Sequence, residues 1–537
     1  MPSYSSPEFS IMGKIFLKLL LLSLVLQIAS STRTSSSINN IDWWCNQTPH
    51  PESCKYYIST QTNNSDEIKQ KSWFREILVQ SALKQVLIMQ SEAQEIEQSM
   101  MSKRHKALHN DCLELYENTI FHLNRTIECM HGKRSCSPFD AQTWLSTAHT
   151  NIQTCPTAAA ELNAVDFKVS KLSNNVTEMI SSSLAINAGF MKKSENNHHK
   201  ANGRKKKFPR WISSHDRKLL KSRSSKKKTD LVVAKDGSGH FSNIQDAINE
   251  AAKRESMTRF VIYVRKGTYE ENIKVDVKNE NIMLVGDGKK KTIITGCRSF
   301  KGGYSIYYSP TVAVDGSNFI ARDIGIENTA GPTMHQAVAL RSSSDMSVFY
   351  RCSIAGYQDT LYALAQRQFY SDCYIYGTVD FIFGDATAMF DHCHIYARQP
   401  LPGQGNIITA QGRNNIHKNS GISILNSRIK AAPELKPDVD KVITFLGRPW
   451  KKYARVAIMH TFLDTLVNPK GWSPWNSSDF ALDTLYFGEY KNYGPGSSIC
   501  DRVEWPTFHA MTSSSEAFQF TIHGFFSDPI FLPSTDV

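Results

Sequence analysis

The sequence predicts a two-part fold, an all-α four-helix bundle followed by an all-β parallel β-helix. Three observations carry this expectation. Apolar residues recur at helical spacing in four stretches of the segment 41–190, and four such stretches with short connections pack as an antiparallel bundle. From residue 229 the period changes, and short runs rich in Val, Ile, Tyr and Phe alternate with Gly, Asn and Asp turns. Within that second part Cys352, Cys373 and Cys393 lie 21 and then 20 residues apart, while Asp359 and Asp380 repeat the interval of 21. An interval held by two residue types implies coils stacked on one another. A β-sandwich would need hairpin turns about every 8–12 residues, and the second part lacks them.

At 537 residues the chain is too long for one ordinary core. Lys14 and Lys18 precede the apolar run 19–28 and the small residues Ala29, Ser30 and Ser31. That run is shorter than the ~20 residues that cross a bilayer, so residues 1–30 read as a secretory signal peptide and the mature chain has no membrane span. Five N-x-S/T sequons (Asn46, Asn63, Asn124, Asn175, Asn476) and 11 cysteines suit a secreted glycoprotein. An odd cysteine count requires at least one thiol that is free or paired between chains.

In the bundle the first set is Trp73, Phe74, Ile77, Leu78, Leu83, Val86 and Leu87, and the second is Leu108, Cys112, Leu115, Ile120 and Leu123. The third is Ala141, Trp144, Leu145, Ala148, Ile152 and Cys155, and the fourth is Val165, Val169, Leu172, Val176 and Ile180. Cys112 and Cys155 fall on the inner faces of the second and third helices, where a bridge would staple them. Cys45 with Cys54 would close the entry hairpin and Cys129 with Cys136 a local loop, one of the 15 pairings that six cysteines allow. His105, His109 and His122 are scattered and read as solvent-facing.

The segment 191–228 carries the net charge. Between Lys192 and Lys228 there are 15 Lys and Arg against two acids, and the chain beyond it has 31 of each sign, so the formal +12 belongs to one segment. Poor in apolar residues, the segment reads as an extended or disordered linker. Secretion argues against a nucleic-acid partner and favours contact with an acidic polysaccharide. The dibasic pair Arg217 and Lys218, followed by Leu219 and Leu220, marks a site of proteolysis in an accessible linker.

In the β-helix the expected strands include 260–264, 282–285, 311–314 and 338–340. Strands lie about 4.7–4.9 Å apart, so Asp359 (in GYQDTL) and Asp380 (in GTVDFIFG) would sit one strand spacing from each other. Two close carboxyls resist joint ionisation, which leaves one protonated while its neighbour is ionised. By the same spacing Cys352 and Cys373 would fall within bonding reach, since bridged Cα atoms lie about 4.4–6.8 Å apart. Gln336 and Gln358 can each offer an amide to a developing oxyanion. Arg448, in LGRPW, can fork onto a carboxylate, and Trp450 offers a flat face to a sugar ring. No His, Cys or acidic cluster asks for a metal or other cofactor.

The motifs GTYEE, QAVALR, GYQDTL, GTVDFIFG and LGRPW, in this order over about 300 residues, resemble the plant pectin methylesterases. The helical part is similar to the inhibitor domain that many plant members carry as a pro-region. The resemblance implies a right-handed parallel β-helix with an open cleft, active on methyl-esterified pectin in the cell wall or apoplast, without cofactor. Carried over by position, it makes Asp380 the nucleophile, Asp359 the proton donor and later the base, and Gln358 the oxyanion donor. Gln336, Arg448 and Trp450 become substrate contacts, with Arg448 also aiming Asp380. A Cys352–Cys373 bridge belongs to the same pattern, and RKLL is similar to the site where subtilisin-like proteases release a mature, monomeric enzyme. Two positions depart from it. Ile306 stands where a substrate-contacting Thr is expected, and Leu364 where His is frequent, which puts subsite preference in question. On the residues alone, two alternatives stand beside an esterase: a glycoside hydrolase on the same scaffold, whose retaining form uses carboxyls about 5–5.5 Å apart, and a non-catalytic wall-binding protein.

Overall fold

A computed structural model describes residues 40–60, 70–96, 101–162, 164, 172–191, 208–222 and 229–526. The expected signal peptide, the sequon at Asn63, Val165 and Val169, and most of the basic linker lie outside the described residues.

The first part is helical. Two short helices, α1 (Asn40–Cys45) and α2 (Pro51–Ser59), lead into α3 (Lys71–Gln94), α4 (Lys103–Met130), α5 (Pro138–Glu161) and α6 (Ser173–Ala188). Local signals set the helix starts. The Ser102 hydroxyl accepts from the backbone N–H of His105 to begin α4, and Ser137 with Asp140 forms a reciprocal capping box ahead of Pro138 in α5. Phe74, Leu78, Leu115, Leu145, Ile152 and Ile180 are fully buried between the four long helices. Trp73 and Leu87 are instead exposed, because the buried stripe of α3 runs through Phe74, Ile77, Leu78, Ala82, Val86 and Met89. The bridges are Cys45–Cys54, Cys112–Cys155 and Cys129–Cys136, with Cα separations of 5.5, 5.1 and 5.8 Å. His109 and His122 are not solvent-facing, being 1% and 2% exposed. The Nε2 of His109 meets the Ala93 carbonyl at 2.7 Å, and His122 sits against Gln366 of the second part.

The second part is a parallel β-helix. Its strands form three sheets of 11, 8 and 7 members, and each named pairing is parallel, between one coil and the next. The chain turns from the 11-stranded to the 8-stranded sheet through one left-handed residue per coil. Asp323, Arg351, Asp372, His392, Asn426 and His460 all take φ between 49° and 59°, a region that Asn, Asp and His enter more readily than most residues. Inward-facing residues stack from coil to coil, as in Phe349, Tyr370 and Phe390, whose rings lie 4.8 and 4.6 Å apart and nearly parallel. The strand Phe260–Val264 matches its expected limits. The one expected at 338–340 begins later, as Leu340–Ser342.

The expected Cys352–Cys373 bridge is absent. Both are free thiols, buried and stacked in register with Cys393. In-register side chains on parallel strands point the same way at about 4.8 Å, wider than the ~3.8 Å between Cβ atoms that a disulfide needs. Burial pushes both thiols well above their ordinary pKa, which makes them inert packing groups.

The linker also departs from expectation where it is described. Residues 214–221 form α7 (Ser214–Lys221), which contains the dibasic pair. Leu220 is fully buried and packs with Phe208 and Ile212 against the outer side of the 11-stranded sheet, beside Val261, Met283 and Phe369. Low overall hydropathy hid three well-spaced anchors.

Candidate active site

The 7-stranded sheet presents one row of outward residues, Arg341, Tyr362, Phe383, Ala410 and Arg448, each in register with the next. Just before this sheet, at the corner from the 8-stranded one, lie Asp359 and Asp380. The Asp359 N–H donates to the Val379 carbonyl at 3.0 Å, and Leu361 pairs with Ile382 two residues on. The aspartates are therefore stacked on consecutive coils. Both have positive φ, 59° and 50°, a conformation that turns the side chain out of the sheet and that functional sites hold against local preference.

A cavity of about 220 Å³ collects Gln336, Gln358, Asp359, Asp380, Arg448, Trp450 and Ile306. Every site residue expected from the sequence, the cysteines apart, lines this one space. Arg448 forks onto Asp380, with Nε–Oδ1 at 2.8 Å and Nη2–Oδ2 at 2.6 Å, and its guanidinium lies 4.4 Å over the Trp475 ring. The two carboxyls thus differ. Burial raises Asp380, but Arg448 opposes it. Asp359 is pushed well above the carboxylate range by burial and then by the charge of Asp380. Both carboxyls are raised on balance, Asp359 the further, so Asp380 is the one that ionises first, a polarised pair suited to attack and proton transfer. Gly412 keeps Trp450 in place, since a Cβ there would meet the indole at 2.7 Å. Among the described residues no cluster of three potential metal ligands occurs.

Besides Tyr307 and Ala410, sequence reasoning missed four further parts of the cavity wall. Tyr362 and Phe383 stack at 4.3 Å, and Trp475 closes the far side. The first two carry a signal, being 21 residues apart and three beyond each aspartate. The fourth part comes from the helical domain: Thr154, Thr157, Ala158 and Glu161 of α5. Nothing in the sequence of α5 marks it as facing a cleft.

Residues 230–529 match the family model described as Pectinesterase, more than half of the chain. This chain belongs to the pectinesterase family. Residues 39–186 match a second model, plant invertase/pectin methylesterase inhibitor. The chain is 48% identical to Pectinesterase 2 of Citrus sinensis, over 97% of this chain and 98% of the relative. It is 47% identical to the Arabidopsis thaliana protein named probable pectinesterase/pectinesterase inhibitor 59, over 97% of both. Among solved structures, pectin methylesterase from carrot matches with a TM-score of 0.56 at 47% identity, covering 58% of this chain and 98% of the carrot chain.

In this pectinesterase-family chain the inhibitor-type domain lies across the cavity, held by a polar and apolar interface. Glu114 of α4 bonds Lys274 at 2.7 Å and the Tyr307 hydroxyl at 2.9 Å, beside Arg341 at 3.7 Å. Asp140 of α5 meets Arg367 at 2.8 Å, and Thr150 donates to Asp385 at 2.8 Å while accepting from Lys418. Asp111 of α4 accepts from the Ser305 hydroxyl and is raised to about 7, chiefly by burial. Burial likewise raises Glu161 to about 7, against the opposing charge of Lys451. Apolar contact is continuous across the boundary: Tyr307, Tyr362, Leu364 and Phe383 belong to the same buried cluster as the bundle core. Leu364, expected as a departure at the substrate face, therefore packs where the bundle docks.

Proposed function

We propose that the chain is a secreted esterase that removes methyl groups from pectin and leaves the apoplastic wall polymer with free carboxylates. The observation that carries this reading is the Asp359–Asp380 pair, one member forked by Arg448 and the other raised by burial, in a cavity shared with two glutamines. The Asp380 carboxylate attacks the C6 ester carbonyl, and the tetrahedral oxyanion accepts hydrogen bonds from the amides of Gln336 and Gln358. As the ester C–O bond breaks, Asp359 gives its proton to departing methanol, leaving an acyl-enzyme on Asp380. Asp359, now ionised, takes a proton from water, which attacks the acyl carbon and frees Asp380. Trp450 and Ile306 flank the sugar. The two amides favour an ester over a glycosidic bond, because an acyl intermediate develops an oxyanion and an oxocarbenium ion does not.

The helical domain keeps the precursor closed, and cutting at Arg217 and Lys218 by a subtilisin-like protease releases a monomeric enzyme. The test compares methanol release and new reducing ends for the full chain and for a 229–537 fragment on esterified pectin. Methanol without chain scission, from the fragment and far less from the full chain, is expected. Scission at constant ester content would refute the esterase, and an equally active full chain would refute the inhibition.

A further inference from the structure

The three outer faces of the β-helix are not alike. The 7-stranded sheet carries the cavity and meets the bundle, and the 11-stranded sheet is covered by α7 and by the helices Ser514–Phe518 and Ile522–Phe525. Among the described residues, no helix packs on the outer face of the later coils of the 8-stranded sheet. That face carries rings and cations in two register rows. One row runs Tyr374, His394, Arg428, Phe462, and the other runs Tyr376, Tyr396, Lys430. The rings overlap nearly flat, Tyr374 on His394 at 4.7 Å and Tyr376 on Tyr396 at 5.0 Å. Lys289 sits 3.4 Å over Tyr374, and Lys430 lies 4.8 Å from the Phe462 ring.

Charge is the second observation. The β-helix has equal numbers of acids and bases, yet among the described residues no carboxylate forms an ion pair with Lys289, Arg428 or Lys430. Asp323 and Asp372 are felt by Lys289 at one end of the patch, and Glu434 is felt by Tyr376 near the other. Arg398 is the cation with a local partner, Glu434 at 2.7 Å, and it lies over the Tyr357 ring at 3.9 Å. Tyr357 directly precedes Gln358, and Tyr376 lies four residues before Asp380. The face is thus joined to the active site by the corners that carry the catalytic residues.

From this we infer that the outer face built on Tyr376, Tyr396, Arg428 and Lys430 is a binding site for de-esterified galacturonan, the polyanion that the reaction generates. The proposal rests on the esterase reading for the identity of the ligand and not for the binding itself. Flat aromatic faces accept the C–H side of a pyranose ring, and unpaired cations beside them accept carboxylates. A neutral, fully esterified stretch lacks the second interaction. The site would hold product near the cavity while its esterified continuation is processed.

The test uses the full secreted chain, in which the bundle covers the cleft, so that retention on immobilised polygalacturonate reads the outer face. Two variants are compared, Tyr376→Ala with Tyr396→Ala, and Arg428→Gln with Lys430→Gln. Each is expected to weaken retention about tenfold or more, and fully methyl-esterified polymer to bind at least tenfold more weakly than polygalacturonate. Methanol release by the cleaved form from short esterified oligomers is expected to stay unchanged in both. Should the tyrosine pair lower the unfolding midpoint, the Arg428/Lys430 pair decides. Unchanged retention in that pair would overturn the proposal, as would equal retention on dextran sulfate. Loss of binding on changing Lys205, Lys206 and Lys207 to Gln, without loss in the face variants, would assign binding to the linker and overturn it as well. If wild type releases no methanol yet binds polygalacturonate, the esterase reading fails and the binding site stands.

Discussion

At the scale of single residues the candidate site holds an asymmetry between two identical side chains. Arg448 is its source, since it forks onto Asp380 and leaves Asp359 to burial and to the charge of its neighbour. Removing Arg448 takes away the group that lowers Asp380, so its pKa rises and the anion persists only at higher pH. The acidic limb of kcat/KM for the cleaved Arg448→Ala enzyme is expected to move upward, with partial return in Arg448→Lys. An unmoved limb would show that Asp380 is not the group titrated. Asp359→Asn is expected to lower kcat by about 10²–10⁴-fold, the usual worth of a placed proton donor. The cysteines give a separate check. Native protein should expose to a thiol reagent only Cys297 and Cys500, and denatured protein should show five thiols. A denatured count of three, with Cys352 and Cys373 the two unlabelled positions, would restore that bridge.

Among elements, α7 matters most, because the expected cleavage site lies on it. A protease binds its substrate extended, and α7 is helical, with Leu220 buried, Asp216 paired to Arg259 at 3.0 Å and Arg322 bonded to the Leu219 and Ser222 carbonyls. Burying one leucine contributes about 1.5–3 kcal/mol, enough to lower the open population roughly 10- to 100-fold. Arg322→Ala removes contacts to the end of α7 without touching the recognised residues. Limited digestion at Arg217 and Lys218 is expected to run several-fold faster in that variant, and an unchanged rate would mean that docking does not protect the site. Low hydropathy and dense charge concealed this helix, whereas the bundle helices were legible because each repeats its apolar period over several turns. Trp73 and Leu87 satisfied that period too, but the sequence does not say which edge of the apolar stripe faces a neighbour.

The whole molecule is organised by one interface, in which α4 and α5 cover the outer face of the 7-stranded sheet. Glu114 is its most connected acid. Glu114 is half-buried but faces the buried Arg341, so Glu114→Ala leaves that guanidinium with one acid fewer and should raise the activity of the uncut chain toward that of the cleaved form. Asp111 and Glu161 are expected to make closure depend on pH. Each is raised to about 7 when docked, against ordinary values of about 3.9 and 4.3. A carboxyl raised on docking binds a proton as the interface forms, so its contribution is complete below pH ~4 and is lost as pH rises through about 7. Residual activity of the uncut chain is therefore expected to increase from pH 5 to pH 8. Asp111→Asn with Glu161→Gln should flatten that rise, and an unchanged profile would exclude both groups.

What the sequence by itself determined is whatever repeats or stays local. Helical periodicity defines the bundle, the interval of 21 stacks Asp359 on Asp380, and short motifs hold the glutamines, Arg448 and Trp450. The three bundle disulfides agree with one of the 15 pairings the sequence left open, the one that joins cysteines near in sequence or on facing helices. Tertiary structure decided what depends on direction and on distant surfaces. The same interval that brings Cys352 and Cys373 together also points their side chains in parallel, so they stack and do not bond. Glu161 reaches the cavity, Leu364 meets the bundle, and Leu220 is buried only because separate parts of the chain pack together. No local pattern encodes such contacts, since each residue's role is set by a surface hundreds of positions away or on another face of the coil.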